Sequence, residues 1–201
     1  MIFHPDEKLA IFIDGANFYS TAKSLDFDID YKSLLAYFSA KGRMIKAFYF
    51  TALRENDDFS PLRPLLDWLD YNGFHIMTKP AKTFTDRDGR TRIKGDMDIE
   101  ITVKMLELAP HVDHILLFSG DGDFKAAVEA VQKFGVRVSV VSSLVAKPSL
   151  LADELRRQAD AFIEIDDLER EVGRPKRERP SYKDEDEDDY EDGDDNDFGY
   201  D

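Results

Sequence analysis

Six short runs rich in Val, Ile, Leu, Phe and Tyr recur along the chain, each separated from the next by a segment of helical periodicity. They are "LAIFI" at residues 9–13, "RMIKAFYFTA" at 43–52, "FHIMTK" at 74–79, "HILLF" at 114–118, "VRVSVVS" at 136–142 and "AFIEI" at 161–165. A strand apolar on both faces cannot belong to a sheet with one wet side, so it must be covered twice. Helices that carry the chain back between such strands make the sheet parallel. The expected fold class is α/β, a three-layer α/β/α sandwich with a mainly parallel central sheet.

The intervening segments carry their own start and stop signals. "ANFYSTAKSL" (16–25) reads as the first helix. "DYKSLLAYFSAKG" (30–42) sets Tyr31, Leu34, Leu35 and Phe38 at helical spacing and stops at Gly42. "SPLRPLLDWLDYNG" (60–73) offers Ser60 as N-cap, Pro61 in the first turn and Gly73 past the end. "MDIEITVKMLELA" (97–109) follows Asp96 as a cap and is ended by Pro110. "DFKAAVEAVQKFG" (123–135) and "SLLADELRRQA" (149–159) complete the set. The rhythm breaks once, at "AKTFTDRDGRTRIKG" (81–95), where Asp88-Gly89 predicts a hairpin turn between two polar arms. No internal repeat is visible.

Charge divides the chain in two. Residues 174–201 hold 5 basic and 13 acidic side chains, net −8, which leaves 22 and 29, net −7, for residues 1–173 out of totals of 27 and 42. A run of like charge cannot build a core. The expected organisation is one folded domain over 1–173 and a disordered acidic tail over 174–201. The tail serves as a solubilising segment, or it mimics nucleic-acid charge and binds a basic partner or the protein's own basic surface. The chain has no cysteine, so disulfides and thiolate metal sites are excluded. Neither a leader-like N-terminus nor an apolar run of roughly 20 residues is present, and a cytoplasmic location is expected. The oligomeric state is left open, a homo-oligomer included.

Ligand sites in open α/β sheets lie beyond the carboxyl ends of the strands. Asp14 ends the first strand in "IFIDGAN", Asp121 and Asp123 follow "HILLF" in "FSGDGDF", and Asp98 lies near a helix start in "KGDMDIE". An Asp between strand and helix is a routine N-cap, which accounts for any one of them taken singly. Three groups converging on one sheet edge are harder to explain so, because like charges repel unless a cation sits among them. Hard oxygen donors without His or Cys suit Mg²⁺ or Mn²⁺ rather than zinc. At roughly 100° per residue, Glu100 points roughly 200° away from Asp98 and Lys104 is also off its face, whereas Thr102 and Met105 share it. Asn17, one helical turn past Asp14, either positions a water or metal-bound oxygen or is an ordinary first-turn polar residue. Ser119 either binds phosphate or fixes the turn. Gly120 and Gly122 permit a tight bend beside a ligand. His4, His75, His111 and His114 show no metal spacing, and no phosphate-cradling glycine motif occurs.

Residues 79–94 form a basic arm on an acidic chain: Lys79, Lys82, Arg87, Arg90, Arg92 and Lys94 against Asp86 and Asp88, net +4. Beside a metal site such an arm suits phosphate oxygens, and Phe84 offers a face for a base. The bland alternative is a solvated hairpin. Acid-bound metal with a basic approach surface suggests phosphodiester chemistry.

"IFIDGANFY", "KGDMDIEITVKMLELA", "LLFSGDGDFKAAVEAVQKFGVRVSVVS" and "LADELRRQADAFIEI", in this order, resemble the NYN domain, specifically its LabA-like branch within the PIN-like nuclease superfamily. The resemblance covers roughly residues 9–165. It implies a PIN-like sandwich and metal-dependent endoribonuclease chemistry, with RNA as partner. It also implies Asp14, Asp98, Asp121 and Asp123 as catalytic and metal-holding residues, supported by Asn17 and Ser119. Family members often place a second aspartate where this chain has Lys104. That departure, with the acidic tail, keeps open a second reading: a non-catalytic RNA-binding regulatory module on the same fold. A phosphohydrolase of haloacid-dehalogenase type would need an Asp at position 16, which is Ala. A toprim-like site typically wants glutamate first.

Overall fold

The computed structural model describes residues 3–26, 28–54, 62–85, 91–147 and 149–174, and for 54, 82–85 and 91–94 the backbone alone. Six strands run parallel: β1 (Lys8–Asp14), β2 (Arg43–Arg54), β3 (Phe74–Thr85), β5 (His114–Phe118), β6 (Arg137–Ser142) and β7 (Ala161–Glu164). A short β4 (Thr91–Lys94) pairs antiparallel with the end of β3. The strand order is β4-β3-β2-β1-β5-β6-β7. The chain winds outward from β1 in one direction, then returns to its other side at β5. The β1/β5 seam is therefore the topological switch point, where an open α/β sheet forms its ligand crevice.

β1 and β5 divide their side chains between two cores. Ala10, Phe12, Ile115 and Leu117 face one layer, built from Met97, Ile101, Met105, Ala127, Val128, Val131 and Leu155. Those residues belong to α4 (Asp98–Leu108) with its cap, α5 (Lys125–Gln132) and α6 (Asp153–Gln158). Ile11, Ile13, Leu116 and Phe118 face the other layer. It is built from α1 (Gly15–Ser24), α2 (Tyr31–Ser39), α3 (Arg63–Tyr71) and α7 (Glu169–Val172). Phe118 is fully buried and meets Phe18 and Phe38 edge-on at 5.1 and 5.6 Å. A large aromatic in such a place is worth roughly 3–5 kcal/mol against alanine. These contacts fix the end of β5, which is where the site begins.

The three-layer α/β expectation holds. Helix starts differ in detail. α3 begins at Arg63 with Leu62 as its cap residue and Pro64 in its first turn; Ser60 and Pro61 lie outside the described residues. α4 is preceded by Met97, not Asp96, and no side chain caps it. α5 begins only at Lys125, because a 3₁₀ turn (Gly122–Phe124) absorbs Asp123. The short α7 was not expected; after it Gly173 bridges Ile29 and the Arg174 N–H donates to the Asp28 carbonyl. The hairpin arms pair, Lys82 opposite Lys94 and Phe84 opposite Arg92, while Asp88, Gly89 and residues 175–201 lie outside the described residues. No described helix is long and apolar enough to cross a membrane.

Candidate active site at the carboxyl edge of the sheet

Asp14 is the last residue of β1 and is 7% exposed. Its strand neighbour Ile13 pairs with Phe118, so Ser119, the residue that follows β5, arrives beside it. Ser119 Oγ donates to Asp14 Oδ2 at 3.1 Å, and Asp14 Oδ1 accepts from the Asn17 N–H at 3.2 Å. Asp14 is thus the N-cap of α1 and a site residue at once. The two readings of such an aspartate do not compete, because one carboxylate oxygen serves the helix and the other the site.

The loop after β5 is fixed from the same two residues. Ser119 Oγ accepts from the Asp121 N–H at 3.2 Å, and Asn17 Oδ1 accepts from the Gly120 N–H at 3.0 Å. Asp121 Oδ1 in turn accepts from the Asp123 N–H at 3.0 Å, capping the 3₁₀ turn. Asp121, rather than Asp123, is the cap. Asn17 does something neither sequence reading contained: its side chain ties α1 to the backbone of the β5 loop. Ser119 fixes the turn and orients Asp14. Each such bond to a charged group contributes about 1.5–3 kcal/mol when buried.

Two glycines let the backbones close up here. A Cβ at Gly15 would stand 2.7 Å from the Phe50 carbonyl oxygen and 2.8 Å from the Tyr49 ring. One at Gly120 would stand 2.1 Å from the Leu150 carbonyl oxygen and 2.8 Å from Ser142 Oγ. The Gly120 carbonyl accepts from the Ala152 N–H at 2.8 Å, which binds the start of α6 to the loop. Glycine at 120 answers close packing, not the turn.

Asp98, the first residue of α4, completes the group. Burial raises its carboxyl to about 6, with the neighbouring charges of Asp121, Asp96, Asp14 and Asp123 adding to the effect. Asp14 is likewise raised, first by burial and then by Asp121, against the pull of its bonds from Asn17 and Ser119. Four aspartates from β1, α4 and the β5 loop therefore share one electrostatic neighbourhood. Among the described residues no three His, Cys, Asp or Glu side chains are drawn together closely enough to enclose an ion. The donor set nonetheless fits a hard divalent cation by type, all carboxylate oxygen, and by charge, since Asp98 and Asp14 are each raised in part by acidic neighbours.

The basic arm is brought to the site only in part. Lys79 is ion-paired with Glu100 at 2.7 Å and lies 3.9 Å from Asp96, so its charge is already met by acids beside α4. Glu100 thus points toward β3, away from the aspartate group, as its helical angle requires. Lys82, Arg92 and Lys94 are placed by their backbones on the β3–β4 hairpin, and Arg90 lies outside the described residues. Lys104 pairs with Glu107 on its own helix. His114 is buried against Ser139 at 2.8 Å and His75 is held by Lys46 at 2.8 Å, both structural. One neighbour of the site escaped the sequence: Glu154 of α6, whose carboxylate lies against Gly122. No local pattern announces it, because the folding of 31 intervening residues brings the two together.

Comparison with known proteins agrees with this architecture. A curated relative, the low amplitude and bright protein LabA of Synechococcus elongatus, is 32% identical over 184 residues, covering 90% of this chain and 95% of its own. A crystal structure of a protein of unknown function from Vibrio parahaemolyticus superposes with a TM-score of 0.66 at 32% identity, covering 83% of this chain and 98% of that one. The NYN domain family model matches residues 8–166, a span that contains every strand and all four aspartates. The chain belongs to the NYN domain family and is LabA-like.

Proposed function

We propose that the protein is a metal-dependent endoribonuclease that hydrolyses RNA phosphodiester bonds at the β1/β5 seam. The observation that carries this reading is the electrostatic coupling of Asp98 to Asp14, Asp121 and Asp123 at the carboxyl edge of the sheet. Asp14 and Asp98, each raised by burial and by acidic neighbours at a switch point, would be relieved by a ligand cation. Asp14, Asp98, Asp121 and Asp123 would hold Mg²⁺ or Mn²⁺. Such an ion, when bound, polarises a phosphoryl oxygen and lowers the pKa of water.

The chain's own residues do the positioning. Ser119 and the Asn17 N–H hold both oxygens of Asp14, and Ser119 also holds the backbone of Asp121. Asn17 keeps the two strand ends at fixed separation through Gly120. Lys82, Arg92 and Lys94 of the β3–β4 hairpin, together with Arg90, would receive the RNA backbone, and Lys79 would join them by exchanging its acidic partners. A cytoplasmic setting goes with this reading.

The test is incubation of labelled single-stranded RNA with Mn²⁺, beside an Asp121→Asn variant and an EDTA control. Cleavage that vanishes in both controls supports the assignment, and cleavage that persists in Asp121→Asn places the chemistry elsewhere. The second reading, an RNA-binding module without turnover, is favoured by the open spacing of the carboxylates and by Lys104. RNA binding that survives chelation without cleavage would select it.

A further inference from the structure

A groove of about 420 Å³ opens beside the aspartate loop, lined by Lys125, Asp153, Glu154, Arg157 and Gln158. Its size falls within the roughly 300–1,000 Å³ of small-ligand sites. It is joined to the site at contact distance. A Cβ at Gly122, between Asp121 and Asp123, would stand 2.5 Å from Glu154 Oε1 and 3.1 Å from Ala152 Cβ. The Ala152 N–H is bonded to the Gly120 carbonyl at 2.8 Å, so the groove cannot drift from the loop. At the far end Gln132 and Gln158 exchange hydrogen bonds of 2.8 and 2.9 Å, which holds α5 and α6 side by side.

The polar groups of the groove differ in their commitments. Arg157 and Asp153 are paired with each other at 2.6 Å. Lys125 and Glu154 make no ion pair with a described residue. The groove therefore offers one uncommitted cation next to the loop and one uncommitted carboxylate set against it. A lysine there suits a phosphate oxygen. An ionised carboxylate only accepts hydrogen bonds. It selects a base edge that presents adjacent donors, and guanine, with N1–H and the N2 amine together, is the base that does so.

We propose that this groove seats the nucleotide next to the phosphate held at the aspartates, with Lys125 on its phosphate and Glu154 reading a guanine edge. The proposal rests on the RNA-cleaving reading for its substrate class and adds a base preference to it. Single-stranded RNA would run from the β3–β4 hairpin across the carboxylates and into the groove, its bases splayed for edge contacts as single strands allow.

The experiment uses the full chain with short oligouridines carrying one internal guanosine, inosine or adenosine, and with plain oligouridine. Binding is read by fluorescence anisotropy in EDTA, and cleavage position is read with Mn²⁺. Guanosine is expected to tighten binding about tenfold over plain oligouridine, as a good bidentate base contact does. Inosine, which lacks the N2 amine, should lose most of that gain, and cleavage should fall beside the guanosine. Glu154→Gln and Glu154→Ala should both level the RNAs. Lys125→Ala should weaken all of them several-fold and flatten the salt dependence by about one unit of slope, with Lys125→Arg restoring both. Cleavage without base preference, or a guanosine preference unchanged in both Glu154 variants, overturns the groove assignment and leaves the ribonuclease reading standing. Guanosine-dependent binding that is lost in the Glu154 variants, without cleavage by the parent, supports the groove and overturns the catalytic reading. Absence of both binding and cleavage overturns both.

Discussion

Replacing Asp98 by asparagine should stabilise the metal-free protein at pH 8. The Asp98 carboxyl is raised from 3.8 to about 6, so folding penalises its charged form. A group whose folded pKa lies above its unfolded one adds stability below the unfolded value, and that stability is lost as pH rises through the folded value. A shift of about two units corresponds to roughly 3 kcal/mol if taken whole. Asp98 is only half-buried, so solvent screening cuts this to about 1.5 kcal/mol. Its charge also lies in the first turn of α4, where the helix dipole favours it by about 0.5 kcal/mol. The net gain expected for Asp98→Asn is about 1 kcal/mol at pH 8, and close to nothing at pH 4. Urea unfolding followed by circular dichroism in EDTA, at pH 8 and pH 4, measures it. Loss of stability at pH 8, or an equal gain at both pH values, would refute the electrostatic argument. Added Mg²⁺ should then stabilise the parent more than the variant, because an ion binding only the native state adds stability by mass action.

Three further outcomes are expected. Ser119→Ala removes the bond to Asp14 and the acceptor for the Asp121 N–H, and should cost about 1–2 kcal/mol of thermal stability while lowering RNA cleavage at least tenfold. An unchanged cleavage rate would deny Ser119 its orienting role. Gly120→Ala drives a methyl into the Leu150 carbonyl oxygen and should destabilise by about 2–3 kcal/mol, read as a lower urea midpoint. A neutral result would mean that the chain carrying Leu150 yields freely. His114 is held at about 4, first by burial and then by Arg137, with Glu7 opposing. Its folded pKa lies below the unfolded 6.5, so stability present above pH 6.5 is lost as pH falls toward 4, by about 3 kcal/mol in all. His114→Gln should remove that part of the acid sensitivity, and a parent and variant with parallel pH profiles between 7 and 4 would contradict it.

How far the sequence reached depended on whether a feature was local. "HILLF" is β5 to the residue, because a run buried on both faces ends where its apolar side chains end. The position of Asp14 and Asp121 at the sheet edge is legible because each stands at or just past the end of such a run. Helix starts were missed where a loop rather than a capping side chain sets them, as at Leu62 and Met97. The partners of Asn17, Lys79 and Glu154 could not be read at all. Asn17 reaches Gly120 across 103 positions, Lys79 reaches Glu100 across the β3–β4 hairpin, and Glu154 meets Gly122 only once α6 is docked. Periodicity determines which face a residue takes, not which residue stands opposite.

The bond from Ser119 to Asp14 spans 105 positions and that from Asn17 to Gly120 spans 103. This long closure has a consequence for synthesis. A ribosome emits roughly 5–20 residues each second, so Asp14 leaves it many seconds before Ser119 does. Until then β1 has no neighbour on its β5 side, and Asp98 has nothing of the later loop to face. A nascent or truncated chain that stops short of residue 119 thus carries two of the four aspartates but cannot assemble the acidic centre. An activity directed at RNA would in this way stay silent beside the message being translated, and would begin only when the chain has come far enough to close its own seam.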